Sequence, residues 1–124
     1  MSTDLSHRGL QLLPDLTSSA LHTLKADHNS IASLSRLPYS LQVLILAQNK
    51  LTFVDTLDSL VPDLRELDIR FNRLIALDGI ASLPKLEKLW VAHNFIGDDQ
   101  VSSLVNLKSL KVLDISYNHL QDSG

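Results

Sequence analysis

The sequence predicts an α/β repeat solenoid, with a parallel β-sheet lining a concave side and 3₁₀ or short helical turns on the convex side. Three observations carry that expectation. Five segments of one apolar pattern align without a gap, and each holds an asparagine at the same place. The stretches between them are apolar at roughly every third residue, a period that suits 3₁₀ turns better than long α-helices.

The segments are "LHTLKADHNSI" (21–31), "LQVLILAQNKL" (41–51), "LRELDIRFNRL" (64–74), "LEKLWVAHNFI" (86–96) and "LKVLDISYNHL" (110–120). Each reads apolar-x-x-Leu-x-apolar-x-x-Asn-x-apolar. Asn29, Asn49, Asn72, Asn94 and Asn118 follow one another at intervals of 20, 23, 22 and 24 residues. A degenerate copy over 1–20 opens the chain, with Leu5 and Leu10 in phase and Arg8 where asparagine is expected. Residues 1–124 therefore read as a single domain of six repeats.

Each position has a physical reason. Positions 1, 4, 6 and 11 of a segment point into a shared core, because one repeat cannot bury its apolar face alone. Stacked repeats make a parallel sheet with strands about 4.8 Å apart. The chain then turns sharply and strands backbone N–H and C=O groups without sheet partners. An asparagine amide offers donors and an acceptor together, so it is expected to satisfy those groups in its own loop and the next. Asp98 and Asp99 of "IGDDQV" are expected to cap a short helix starting near Gln100.

The repeat resembles the leucine-rich repeat family, across essentially the whole chain, and is similar to its 22-residue class, typified by an intracellular regulator of protein phosphatase 1. That resemblance implies a right-handed superhelix and a protein-interaction module. It implies an adaptor, scaffold or targeting role, cytoskeletal by analogy with an axonemal dynein light chain of the class. The alternatives it brings are a regulatory subunit of an enzyme such as a phosphatase, and a ribonucleoprotein component.

The register also fixes which side chains face the concave side. Position 5, mid-strand, reads Asp4, Lys25, Ile45, Asp68, Trp90 and Asp114. Polar residues dominate that column, so Ile45 and above all Trp90, the single tryptophan, are expected to be held out toward a partner. Val43 sits in the adjoining column and Arg70 at position 7. Phe71, His93 and Tyr117 share position 8 on three consecutive repeats and should form a row beside Trp90. For Phe71 and Tyr117 two readings stay open, packing on a neighbour's loop or contact with a partner. Aromatics with an arginine and a charged border have the composition of a binding hot spot. The expected partner-binding set is therefore Val43, Ile45, Asp68, Arg70, Phe71, Trp90, His93, Asp114 and Tyr117, seating a helix or extended segment of a protein, or the chain's own tail.

Composition narrows the alternatives. The hydrophobic fraction of 44% and charged fraction of 20% are ordinary globular values, and a formal net charge of −3 gives no reason to expect nucleic acid or anionic membrane. The concave columns hold six acids (Asp4, Asp27, Glu66, Asp68, Glu87, Asp114) against five bases (Lys25, Arg65, Arg70, Lys88, Lys111), which argues against direct contact with a nucleic-acid backbone. With no cysteine there is no disulfide framework, which fits a reducing compartment. No segment has the apolar length of a membrane span, and the N-terminus lacks the continuous apolar run of a signal peptide. The reading is cytoplasmic, cytoskeleton-associated by resemblance. No catalytic constellation, cofactor motif or metal spacing stands out among the five histidines or elsewhere, so an enzyme is not expected. The chain ends soon after its last segment with nothing to cover Leu110, Leu113 and Ile115. Two readings follow: the N-terminal part of a longer chain, monomeric by itself, which is the favoured one, or a last repeat that pairs with another copy.

Overall fold

The computed structural model describes residues 1–119. Six three-residue strands, β1 (Ser2–Asp4), β2 (Thr23–Lys25), β3 (Val43–Ile45), β4 (Glu66–Asp68), β5 (Lys88–Trp90) and β6 (Val112–Asp114), form one parallel sheet in chain order. The pairing runs Asp4, Lys25, Ile45, Asp68, Trp90, Asp114 across the sheet without slippage. That is the mid-strand column read from the sequence, so the chain is a repeat solenoid in the expected register.

The core is a stack of aliphatic layers. Leu24, Leu44, Leu67 and Leu89 at position 4 are fully buried, as are Leu46, Ile69 and Val91 at position 6. Because each repeat buries its leucines only against its neighbours, the ends are thinner. Leu113, the position-4 residue of β6, is 41% exposed, and Leu110 and Ile115 are only partly buried. Leu120, expected in the same layer, lies outside the described residues. On the convex side the connections are short: a helical turn α1 (Leu57–Leu60), a second α2 (Asp98–Val101) and a 3₁₀ turn over Ser102–Asn106. The helix near Gln100 therefore exists but begins earlier than expected. Gly97 is its N-cap residue, and Asp98 and Asp99 lie in its first turn, complementing the helix dipole instead of capping it.

The asparagines form a ladder, directed opposite to expectation. Asn72 Nδ2 donates to Ile69 O (3.0 Å) and Arg70 O (3.3 Å) in its own repeat and to Leu46 O (3.0 Å) in the preceding one. Its Oδ1 accepts from Leu51 N (3.0 Å), again in the preceding repeat. Asn49 and Asn94 repeat the pattern, donating to Ala26 O and Ile69 O and accepting from Ile31 N and Leu74 N. Each asparagine thus ties its own loop back to the one before.

A feature hidden from the pattern precedes each ladder residue. Position 8 adopts a left-handed backbone in every repeat, with φ of 59° at His7, 56° at His28, 58° at Gln48, 59° at Phe71, 59° at His93 and 56° at Tyr117. This conformation lets the chain leave the strand and aim the next residue inward. A side chain with a Cβ bears a cost of roughly 1–2 kcal/mol there.

Candidate functional site

The sheet face opposite the core carries apolar side chains on β3 and β5, with the charged residues Glu66 and Asp68 on β4, and Arg70 just after it, between them. Val43 and Ile45 on β3 and Trp90 on β5 are half-buried, and Trp90 has Asp68 and Asp114 directly beside it on the flanking strands. Trp90 does lie on the sheet face opposite the leucine core, but less freely than the sequence suggested, since it is half-buried there. Asp68 departs further. Expected on the wet border, it is 6% exposed. Arg70 folds back over its own strand, its Nε donating to Asp68 Oδ1 (2.9 Å) and its Nη2 to Oδ2 (2.7 Å), while the Arg70 backbone N–H also donates to Oδ1 (3.2 Å). Asp68 is thus buried with both carboxylate oxygens engaged by Arg70. These bonds hold the Arg70 guanidinium even more firmly protonated than usual, although its side chain remains 43% exposed.

The position-8 row exists as a three-ring stack. Phe71 and His93 lie 4.1 Å apart between centroids with 9° between planes, and His93 and Tyr117 lie 4.3 Å apart at 10°. Each such pair contributes about 0.5–1.5 kcal/mol, enough to offset much of the left-handed backbone cost beneath it. The packing reading left open for Phe71 and Tyr117 is therefore realised, and Tyr117 at 74% and Phe71 at 45% still present exposed ring surface. His7 and His28 stack in the same way at the other end, 4.3 Å apart, with Gln48 interrupting the row between the two stacks. Charged pairs edge the sheet: Arg65 with Glu87 (3.0 Å), Lys111 with Glu87 (3.5 Å) and Lys88 with Glu66 (3.5 Å). The Glu87 carboxyl is held below its ordinary value first by its hydrogen bond to Arg65 and then by the nearby Lys111 charge.

A second polar system was not foreseen. In five of the six repeats the backbone N–H at position 7 donates to a side-chain acceptor. Asp4, Asp68 and Asp114 each accept from the N–H two residues on, at Ser6 (2.9 Å), Arg70 (3.2 Å) and Ser116 (3.0 Å). In β2 and β3, where position 5 is Lys25 and Ile45, the preceding repeat supplies the acceptor: Ser6 Oγ for Asp27 N (3.0 Å) and Asp27 Oδ1 for Ala47 N (2.7 Å). Spacing of Asp-x-polar at positions 5 and 7 was the available signal.

Burial dominates at Asp27 and raises its carboxyl above the ordinary value, against the lowering pull of the Ala47 N–H. A raised acid favours the folded state below its unfolded value, and that contribution is lost as pH rises through the folded value. Asp27→Asn, which keeps the acceptor without the charge, is therefore expected to be more stable than wild type at pH 7. The advantage should shrink toward pH 3, as thermal melts of both proteins across that range would show.

The fold and the sequence agree with known proteins. The description "Leucine Rich repeats (2 copies)" matches residues 39–82 and 62–104, and "Leucine Rich repeat" matches 106–124. The U2 small nuclear ribonucleoprotein A' of Arabidopsis thaliana is 33% identical over 107 residues, covering 79% of this chain and 43% of that protein. A TLR13–ssRNA13 complex superposes with a TM-score of 0.80 at 30% identity, over 95% of this chain and 18% of that one. The SNF/U2A' complex of Drosophila melanogaster gives 0.75 at 22% identity, over 94% of this chain and 73% of that one. This chain spans between 9% and 43% of the length of the curated relatives it matches. The matched residues cover well over half of the sequence, and with the in-register sheet and the asparagine ladder they show that the chain belongs to the leucine-rich repeat family.

Proposed function

We propose that this chain is a protein-binding adaptor whose concave face, across β3 to β6, seats a helix or extended segment of a protein partner. The observation that carries the reading is Trp90, a tryptophan in mid-strand of a column otherwise largely polar. Val43 and Ile45 add apolar surface two strands away, beyond Glu66 and Asp68 on β4, and the Phe71–His93–Tyr117 stack forms one wall. Arg70 and Asp68 act as a fixed pair that shapes the floor, leaving Asp114 as the acid open to contact. The charges on this face are balanced, which favours a polypeptide over a nucleic-acid backbone.

The test is a paired pull-down with wild type and Trp90→Ala. If the indole is an anchor, the substitution weakens the captured protein by roughly 2 kcal/mol or more in a follow-up titration. Its own melting midpoint should shift by less than the binding loss, because the indole is only half-buried. Identical retained proteins from both baits would place the working surface elsewhere. A second reading, membership of a ribonucleoprotein assembly, draws on the similarity to the U2 small nuclear ribonucleoprotein A' of Arabidopsis thaliana. Captured complexes that disperse on nuclease treatment would favour it, with this chain still binding a protein component.

A further inference from the structure

Five of the six position-7 amides on the concave face have a side-chain acceptor, and the sixth, Ala92 N–H, has none among the described residues. Both routes that serve the other repeats are closed there. In β1, β4 and β6 the position-5 side chain is an aspartate that reaches the amide two residues on; in β5 it is Trp90, whose indole offers a donor and no acceptor. The alternative donor-to-neighbour route runs from position 7 of the preceding repeat, which is Arg70, a cation already turned onto Asp68. Ala92 is 2% exposed, so its N–H lies within the folded surface, two residues on from Trp90, without an acceptor among the described residues. A buried donor in this state is costly to the fold, and an aspartate in place of Trp90 would remove the cost.

Asp114 lies on the neighbouring strand, opposite Trp90. Its Oδ1 accepts from Ser116 N (3.0 Å) and Ser116 Oγ (2.6 Å), bonds that hold the carboxyl below its ordinary value. Its Oδ2 receives no donor among the described residues. The indole is thus bordered by one unused donor, Ala92 N–H, and one unused acceptor, Asp114 Oδ2.

We propose that Ala92 N–H, Trp90 and Asp114 form a subsite for a carboxamide side chain, an asparagine or glutamine of the partner polypeptide. The carboxamide oxygen accepts from Ala92 N–H once the indole swings aside, its NH₂ donates to Asp114 Oδ2, and its plane lies along the indole. A partner carboxylate fits poorly, because Asp68 and Asp114 flank the site and Arg70 neutralises only one of them. A lysine or arginine would satisfy Asp114 but leave the amide bare. A carboxamide answers both groups with no net charge.

This inference rests on the concave-face reading, and one experiment separates the two. A random peptide library is selected on the whole chain, and selected peptides are then titrated into wild type, Trp90→Ala and Trp90→Asp. The expected peptides share an asparagine or glutamine whose replacement by aspartate or leucine weakens binding about tenfold, equivalent to about 1.4 kcal/mol. The Ala92 amide proton should move downfield in nitrogen-15-resolved NMR spectra when they bind. Trp90→Asp should melt higher than Trp90→Ala and lose the peptides. Peptides that need Trp90 but lack a carboxamide, or that leave the Ala92 resonance unmoved, overturn the subsite alone. Peptides that bind Trp90→Ala as tightly as wild type, or a library that yields none, overturn the concave-face reading with it.

Discussion

Gly79→Ala is expected to destabilise the protein by about 2–4 kcal/mol, lowering its melting midpoint by on the order of 10 °C. Gly79 has φ of 86°, and a Cβ built there would stand 2.1 Å from Val54 O, 2.9 Å from Asp55 C and 3.0 Å from Asp55 Cα. All three atoms are backbone of the preceding convex connection, so no side chain can rotate to make room. Two penalties therefore combine: a left-handed conformation disfavoured by any Cβ, and a collision that forces adjacent turns apart. Gly9 supplies the control. It also has positive φ, 65°, but nothing lies within 4 Å of its would-be Cβ. Gly9→Ala should lose only the conformational part, about 1 kcal/mol. Equal melting shifts for the two variants would show that the close approach at Gly79 carries no energy.

Asn72→Ala is the second large effect, expected at about 3 kcal/mol. The side chain satisfies Leu51 N, Leu46 O and Ile69 O in surroundings where the asparagine is 6% exposed. Alanine leaves the Leu51 N–H with no partner and no route to water, at a cost on the order of 1–3 kcal/mol. It also strips one of the two amide donors from Leu46 O and Ile69 O, which keep Asn49 and Asn94, while emptying the space the side chain filled. Asn72→Asp keeps the acceptor for Leu51 N but loses both donors, and adds a charge without a counterion. It should be no better than alanine at neutral pH. Asn29 makes a similar set of bonds, to Arg8 N, Leu10 N, Leu5 O and Ala26 O, but is only half-buried near the thin end of the stack. Water can replace part of what it provides, so Asn29→Ala should cost clearly less. Chemical denaturation of both variants measures the difference, and equal losses would count against burial as the source of the ladder's strength.

How much of this was legible in the sequence follows from which quantities have a period. The strand register was legible because leucine at positions 1 and 4 and asparagine at position 9 cannot slip by one residue without reversing every side chain. The concave columns followed from it, and the row of Phe71, His93 and Tyr117 with them. What has no period stayed hidden. Asp68 and Asp114 are the same residue in the same column, yet Arg70 two residues on buries the first, while Ser116 leaves the second partly exposed. The left-handed backbone at position 8 was unreadable because glycine, its usual mark, occurs there in no repeat. The collision that makes Gly79 indispensable depends on Val54, a residue of another repeat.

Within the described residues, the thinning of the core toward β6 makes this stack behave as a zipper that is firm at β4 and β5 and looser at β6. Leu113 is partly in water, while Leu67 and Leu89 are not, so amide hydrogen exchange should quicken from β4 to β6. A segment lying across β3 to β6 would bridge the firm teeth to the loose one. Its binding energy would then appear in part as slowed exchange at Val112 and Leu113, so the clasp would close the zipper as well as fill the groove.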